Sequence, residues 1–337
     1  MKKLLIPLVL CCFPFFSLDA EGKTETFNDY KFTGPYTYKN LSVYLIHGKD
    51  RVPGTKFLIL QEAMKNKAAV VYETASVNEL KVSNRSNDHD IFIMAGDIVK
   101  GGKQDRVIQF SYLVPPRTEK MPIACFCVEQ GRWQQRGGED VAAFHSSNNM
   151  IASKELKMSV KKEGSQSGVW AKVSEMQGKL GDTLGGSVRS DESDTSLQLT
   201  LENKKLEEAE KDYRTHLGNI VNDRRDAVGY AFVINGSINN AEVFAAGSLF
   251  RKLWPKLIRS SIVEAISSCR DSGSTRVPAA GEIKRFLVDS ENARQISAKR
   301  VSANTQVIER ESKENLLFET RDSQNGRGWI NKSYLKK

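Results

Sequence analysis

Cysteine is scarce in this chain and poorly placed for cross-linking. Of five in 337 residues, Cys11 and Cys12 fall in an apolar N-terminal stretch, leaving Cys125, Cys127 and Cys269. Three thiols make no disulfide framework, so the fold must rest on its core. Histidine is scarcer still: His47, His89, His145 and His216 form neither a His-x-His nor a His-x-x-x-His pair. Cys125-x-Cys127 is too tight for the usual paired-thiolate zinc spacing, so neither a metal nor a cofactor is expected. There is no Gly-x-Ser-x-Gly elbow, no His-Glu-x-x-His and no EF-hand loop, which removes the common hydrolase and metalloprotease signatures. No long apolar run follows the N-terminal one, and the mean hydropathy is −0.44, which excludes a polytopic membrane protein. Lys and Arg never form a block, although the net charge is +9.

What is present begins with that N-terminal stretch. Met1-Lys-Lys, the apolar Leu4 to Phe16 and a small-residue end at Ala20 have the layout of a secretory signal peptide, predicting a secreted or periplasmic protein. Pro7 and Pro14 interrupt the run, and it is too short to cross a bilayer. Cleavage leaves no transmembrane span and a chain that is still basic. A basic surface favours an anionic small molecule or a cell-envelope polyanion as partner. Spreading the charge along the chain argues against nucleic acid.

From about 40 to 135, short apolar strands alternate with Gly, Pro, Asn and Asp. Leu41 to Ile46, Asp90 to Met94, a single strand from Arg106 to Val114, and Ile123 to Glu129 are among those predicted. Helical spacing follows over Val169 to Leu180, then a Gly/Ser/Asp loop over 181–196 and a charged helix over Leu201 to Asn219. Asn235-Gly236 marks a hairpin turn. Ser248 can cap a helix that Pro255 should kink. Strands in one run and helices later predict an α+β fold, mostly antiparallel, rather than a doubly wound one. The expected organisation is a signal peptide over 1–20, one domain over 21–270, and a basic extension over 271–337 with short strands.

Chemistry concentrates in two segments. In Lys100-Gly-Gly-Lys-Gln-Asp-Arg106 the glycines suit a hairpin turn with positive φ. Strand alternation puts Arg106 on the same face as Ile108, Phe110, Tyr112 and Val114. A guanidinium there costs on the order of several kcal/mol if unpaired, so it calls for either a protein carboxylate or a bidentate anionic ligand. Lys103 and the turn amides are the natural companions of such a ligand. In the second segment, Ile123 to Trp133, Cys125, Cys127 and Glu129 share a face. Glu129 either pairs with Arg106 or Arg132 and stays ionised, or is raised toward the range of a general acid or base. A carboxylate that close opposes a thiolate, so the cysteines read as core rather than nucleophile. Trp133 can stack on a ligand or cap the core.

Gly101 to Arg106 followed by Cys127-Val-Glu-Gln-Gly-Arg-Trp133, then Gln166-Ser-Gly-Val-Trp170 and Val228 to Gly236 with Phe244-x-x-x-x-Leu249-Phe250, resembles the ARPP domain family, named for association with ARG and rhodanese-phosphatase superfamily proteins. The resemblance runs from about 35 to 270. It implies no particular reaction, though its name is compatible with a phosphorylated ligand. By that similarity Gly101, Gly102, Lys103, Gln104, Arg106, Cys127, Arg132 and Trp133 are candidate ligand-binding residues. Asp105 and Glu129 are candidate acid/base groups if the chain is a hydrolase or transferase acting on a phosphorylated or nucleotide-like substrate.

Overall fold

The computed structural model describes residues 29–139, 142, 144–269 and 276–337; the predicted signal peptide lies outside them. Runs of β-branched and aromatic residues give β1 (Lys31–Tyr38), β2 (Leu41–His47), β3 (Phe57–Ile59), β4 (Ala69–Ser76), β5 (Glu79–Asn84) and β6 (Asp90–Ile93), with α1 (Leu60–Lys65) after β3. The series continues with β7 (Asp97–Gly101), β8 (Arg106–Ile108), β9 (Tyr112–Val114), β10 (Thr118–Cys127) and β11 (Phe144–Ile151). Four helices follow: α2 (Lys154–Met158), prolonged by a π-helical turn over Ser159–Glu163, α3 (Gln166–Thr183), α4 (Leu197–Leu201) and α5 (Lys204–Leu217). Ser153, Ser165, Ser196 and Asn203 open them, each side chain accepting a first-turn N–H. The rest is β12 (Ala227–Ile234), β13 (Ser237–Phe244), α6 (Gly247–Ser267), α7 (Ala280–Glu291), β14 (Arg294–Ser302), β15 (Thr305–Glu311), β16 (Asn315–Asp322) and β17 (Trp329–Lys336). Asn235 and Gly236 both adopt positive φ, 50° and 75°, as the two-residue Asn-Gly hairpin requires.

The fold is α+β, and its pairings are antiparallel except for the parallel β3–β6 pair. An eight-stranded sheet runs β1-β2-β12-β13-β17-β16-β15-β14, a six-stranded one β11-β7-β8-β10-β5-β4, and a small one β3-β6-β9. Helix α6 is buried on nearly every side, contacts the large sheet, α3, α5 and β11, and anchors the larger core. A second core fills the space between the six-stranded sheet, the small sheet and Val307, Leu316, Phe318 and Leu335 of the large one. The six-stranded sheet curls so that its edge strands β4 and β11 come into contact, and just before β11 the Glu73 N–H donates to Ala142 O at 3.1 Å.

Four sequence expectations come out differently. The strand expected over Arg106 to Val114 divides into β8 and β9, which belong to different sheets; Gln109 N–H turns to Ala124 O at 2.9 Å, and Ser111 Oγ accepts from Ala95 N–H at 3.0 Å. Pro255 neither breaks nor divides α6, whose all-round packing offsets one missing bond. Ser248 is not its cap, since Ala246 holds that position and Gly247 N–H donates to Asp50 Oδ1 at 2.7 Å. The segment beyond 270, expected as an extension, is built into the main sheet, where β17 lies between β13 and β16. Its strands supply apolar residues to both cores, which is why they pair inward.

Candidate functional site

The tight turn at Gly101-Gly102 follows from its surroundings. Gly101 and Gly102 have φ of 117° and 55°. A Cβ on Gly102 would lie 2.3 Å from Phe144 Cζ and 2.8 Å from Glu73 Oε2, so no side chain fits there. Beyond the turn β8 is interior, paired with β7 on one side and β10 on the other, and Arg106 stands directly opposite Cys127. Its side chain is therefore fully buried, facing the inside of the curled sheet.

Arg106 finds its countercharge within the protein: Nη2 lies 3.6 Å from Glu73 Oε2, and Nη1 donates to Gln104 O at 2.7 Å. Neither Nε nor Nη2 makes a hydrogen bond. Glu73 shares the inward side of β4 with Ala69 and Val71, so alternation carried a signal that sequence reasoning passed over.

A second group lies alongside. Arg136 Nη1 donates to Asp105 Oδ2 at 3.0 Å and to Glu129 Oε1 at 3.1 Å, and its Nη2 donates to Glu139 Oε1 at 2.9 Å. Arg132 Nε donates to Glu129 Oε2 at 2.6 Å, and Ser196 Oγ to Asp105 Oδ2 at 3.1 Å. Burial pushes the Asp105 carboxyl up, Glu129 adds to the push, and Arg136 opposes it. Burial works against the charge of Arg136, but Asp105, Glu139 and Glu129 more than offset it, so its pKa is raised. Arg136, Glu139 and Ser196 were not singled out from sequence; Arg136 stands four residues after Arg132 in the same Gly-bounded loop, the one available hint.

The loop amides that an oxyanion would need are taken by these carboxylates. Gly101 N–H donates to Asp105 Oδ1 and Lys103 N–H to Glu73 Oε2, both at 3.0 Å, and Asp105 N–H to Glu129 Oε2 at 3.3 Å. Gln104 is turned inward, its Nε2 donating to Glu129 O at 2.9 Å. The structure thus brings Gly101, Gly102, Gln104, Asp105, Arg106, Cys127, Glu129 and Arg132 together as a buried network. Lys103 and Trp133 are placed differently. Trp133 is 44% exposed, with Lys103 Nζ 5.0 Å and Arg106 Cζ 5.7 Å from its ring centroid. Lys103 makes no ion pair among the described residues.

Cys125 and Cys127 are buried. Burial raises their thiols to about 12 and about 11 against the opposing pull of Arg106, so both stay protonated at neutral pH. Among the described residues no His, Cys, Asp and Glu cluster is placed to hold a metal ion. No described helix is long and apolar enough to cross a membrane. His47 is tied to Thr33 and Asp226 at 2.8 and 3.0 Å, far along the chain from the hairpin, while His145 is exposed on β11.

The model of the ARPP-1 family, the ARG and Rhodanese-Phosphatase-superfamily-associated Protein domain, matches residues 29–333. The chain belongs to this family. The match takes in β14 to β16 and the first part of β17, so the ARPP-1 region reaches well into the eight-stranded sheet beyond 270, where the sequence motifs stop. No curated protein and no solved structure matches the chain.

Proposed function

We propose that this ARPP-1 chain is an anion-binding module that meets a phosphorylated or sulfated ligand at Lys103 and Trp133. The observation that carries the reading is the exposed Trp133 ring with the unpaired Lys103 ammonium against it. The buried carboxylates and arginines behind it neutralise one another and fix the loop. An aromatic face beside an uncommitted cation suits a ligand with both a planar or sugar ring and an anionic group. The basic net charge and the leader-like N-terminal segment agree with export and an anionic ligand in the cell envelope.

The test is a thermal-shift screen with nucleotides, phosphorylated sugars and sulfated glycans on the wild type, Lys103→Ala and Trp133→Ala. A ligand that stabilises the wild type and neither variant is expected. A stabilising ligand that both variants still bind, or none at all, overturns the placement.

One observation favours a second reading. The Asp105 carboxyl, pushed up by burial and by Glu129, would be the proton-transfer group of a hydrolase or transferase acting on a phosphorylated substrate. Turnover of such a substrate, abolished in Asp105→Asn and Glu129→Gln with folding intact, would replace the binding reading.

A further inference from the structure

The eight-stranded sheet ends differently on its two sides. Strand β1 at one end packs against α5 and α7. Strand β14 at the other pairs only with β15 among the described residues, and every residue from Arg294 to Arg300 is exposed. Its outer edge is a row of N–H and C=O groups open to solvent, the template to which an extended segment adds by main-chain hydrogen bonds. Strand β10 comes near the far end of β14 without pairing with it. Its residue there is the exposed Pro122, which has no N–H to give, so the six-stranded sheet does not close over the edge at that point. A groove of about 260 Å³ is left between the two strands, with Phe110, Pro122, Ile123 and Val301 as its apolar lining.

Charge says what this edge accepts. β14 carries Arg294, Lys299 and Arg300 and no carboxylate. None of the three makes an ion pair among the described residues; Lys299 Nζ lies 4.9 Å from the Phe110 ring centroid. Pairing with β15 sets Arg294 opposite Glu311 and Lys299 opposite Val307 on one face, and Arg300 opposite Gln306 on the other. Glu311 is taken by Lys337 Nζ at 2.5 Å, and the groove holds one carboxylate, Glu79. A second copy of this chain is a poor match, because an antiparallel β14–β14 pair centred on Ser297 sets Arg294 against Arg300 and like charges across a ladder repel. Cations on an edge strand discourage such self-pairing and favour a strand of opposite sign. Ile296, 46% exposed and left without a partner where the β14–β15 register shifts between Gln295 and Ser297, puts an apolar side chain in the same stretch.

We infer that β14 is the docking edge for an extended acidic segment of a partner protein, which adds to the eight-stranded sheet as a further strand. Its main chain pairs with β14, its Asp or Glu side chains meet Arg294, Lys299 and Arg300, and one apolar side chain enters the groove beside Phe110 and Val301. The inference does not rest on the ligand reading at Lys103 and Trp133, with which this edge shares no residue.

The experiment measures binding of the full chain to capped octapeptides of Asp, Glu and Thr that carry one Val, Leu or Phe at each position in turn. Controls are the same sequences with Lys in the acidic positions, and two N-methylated sets, one with the odd and one with the even backbone amides blocked; sulfated glycan is added as a competitor. Acidic members are expected to bind, with affinity falling steeply as salt rises and with amide hydrogen exchange slowed over 294–300. A strand added to one edge uses every second N–H, so one N-methylated set is expected to lose binding and the other to keep it. Arg294→Glu with Arg300→Glu, both exposed and outside any described ion pair, is expected to weaken binding by at least about tenfold with an unchanged melting temperature. Lys103→Ala should leave it unchanged, which separates this edge from the Trp133 site. Failure of every acidic peptide to bind the wild type overturns the proposal. So does binding that leaves exchange over 294–300 as it was. No difference between the two N-methylated sets, or displacement by glycan at stoichiometric concentration, also overturns it, since either would reduce β14 to a general anion surface.

Discussion

Arg136 binds three carboxylates from different parts of the loop and hairpin, and it is only 6% exposed at its side chain. Removing it strands Asp105 and Glu129 in the interior with Arg132 alone, a loss expected at about 3–5 kcal/mol. Arg106 is as deeply buried but leaves two of its nitrogens without hydrogen bonds. A Met there keeps the shape and removes that cost, though it exposes Glu73 to an unpaired state. Arg136→Ala is therefore expected to destabilise more than Arg106→Met in urea denaturation; the reverse order would mean that the Glu73 pair dominates. At this scale the sequence was informative about residue type and silent about partners. The period of two placed Arg106 inward and left open whether a carboxylate or a ligand would meet it. Only the curl of the sheet, which sets β4 against β8, brings Glu73 to it, and no local pattern encodes that closure.

Helix α6 carries a different kind of tension. Glu264 is buried on it, Oε1 accepting from Lys154 N–H at 3.1 Å and Oε2 from Asn239 Nδ2 at 3.3 Å. Burial first, then Glu155, raises its carboxyl to about 8 against the pull of Lys154 and Lys157. An unfolded Glu ionises near 4.3, so between roughly 4.3 and 8 the native state holds a proton that the unfolded state has lost. Stability from this group is present at the acid end of that window and is lost as pH rises through it. Glu264→Gln should flatten the decline in melting temperature between pH 5 and 8; an unchanged slope would show that another group causes it. The elements themselves were readable where periodicity was strong: the Asn-Gly hairpin, the helix around Val173 and the strand at Leu41. Elements with neither alternation nor an apolar stripe were missed. Strand β14 is exposed along nearly all its length, and β1 is exposed or half-buried throughout. Their places come from main-chain pairing with β15 and β2, which residue pattern does not record.

Across the whole molecule, the large sheet is assembled from distant stretches of chain. Residues 41–47 pair with 227–234, and β13 pairs with β17. Deleting residues 329–337 would open the sheet in its middle and take Trp329, Ile330, Tyr334 and Leu335, all buried, out of the two cores. The truncated chain is expected to lose its cooperative thermal transition and to bind a hydrophobic dye; a retained transition would show that β13 and β16 tolerate the gap. The sequence motifs end at Phe250, well short of this strand, and nothing local in the sequence announces its central place in the sheet.

The position of β17 also governs timing. A ribosome releases residues in order, and the strand that joins the two halves of the central sheet emerges after both of the strands it joins. Until then β13 and β16 each present an open edge, and the two cores cannot be sealed. Contacts this remote in sequence form slowly, so the central sheet is completed only after β17 has joined β13 to β16.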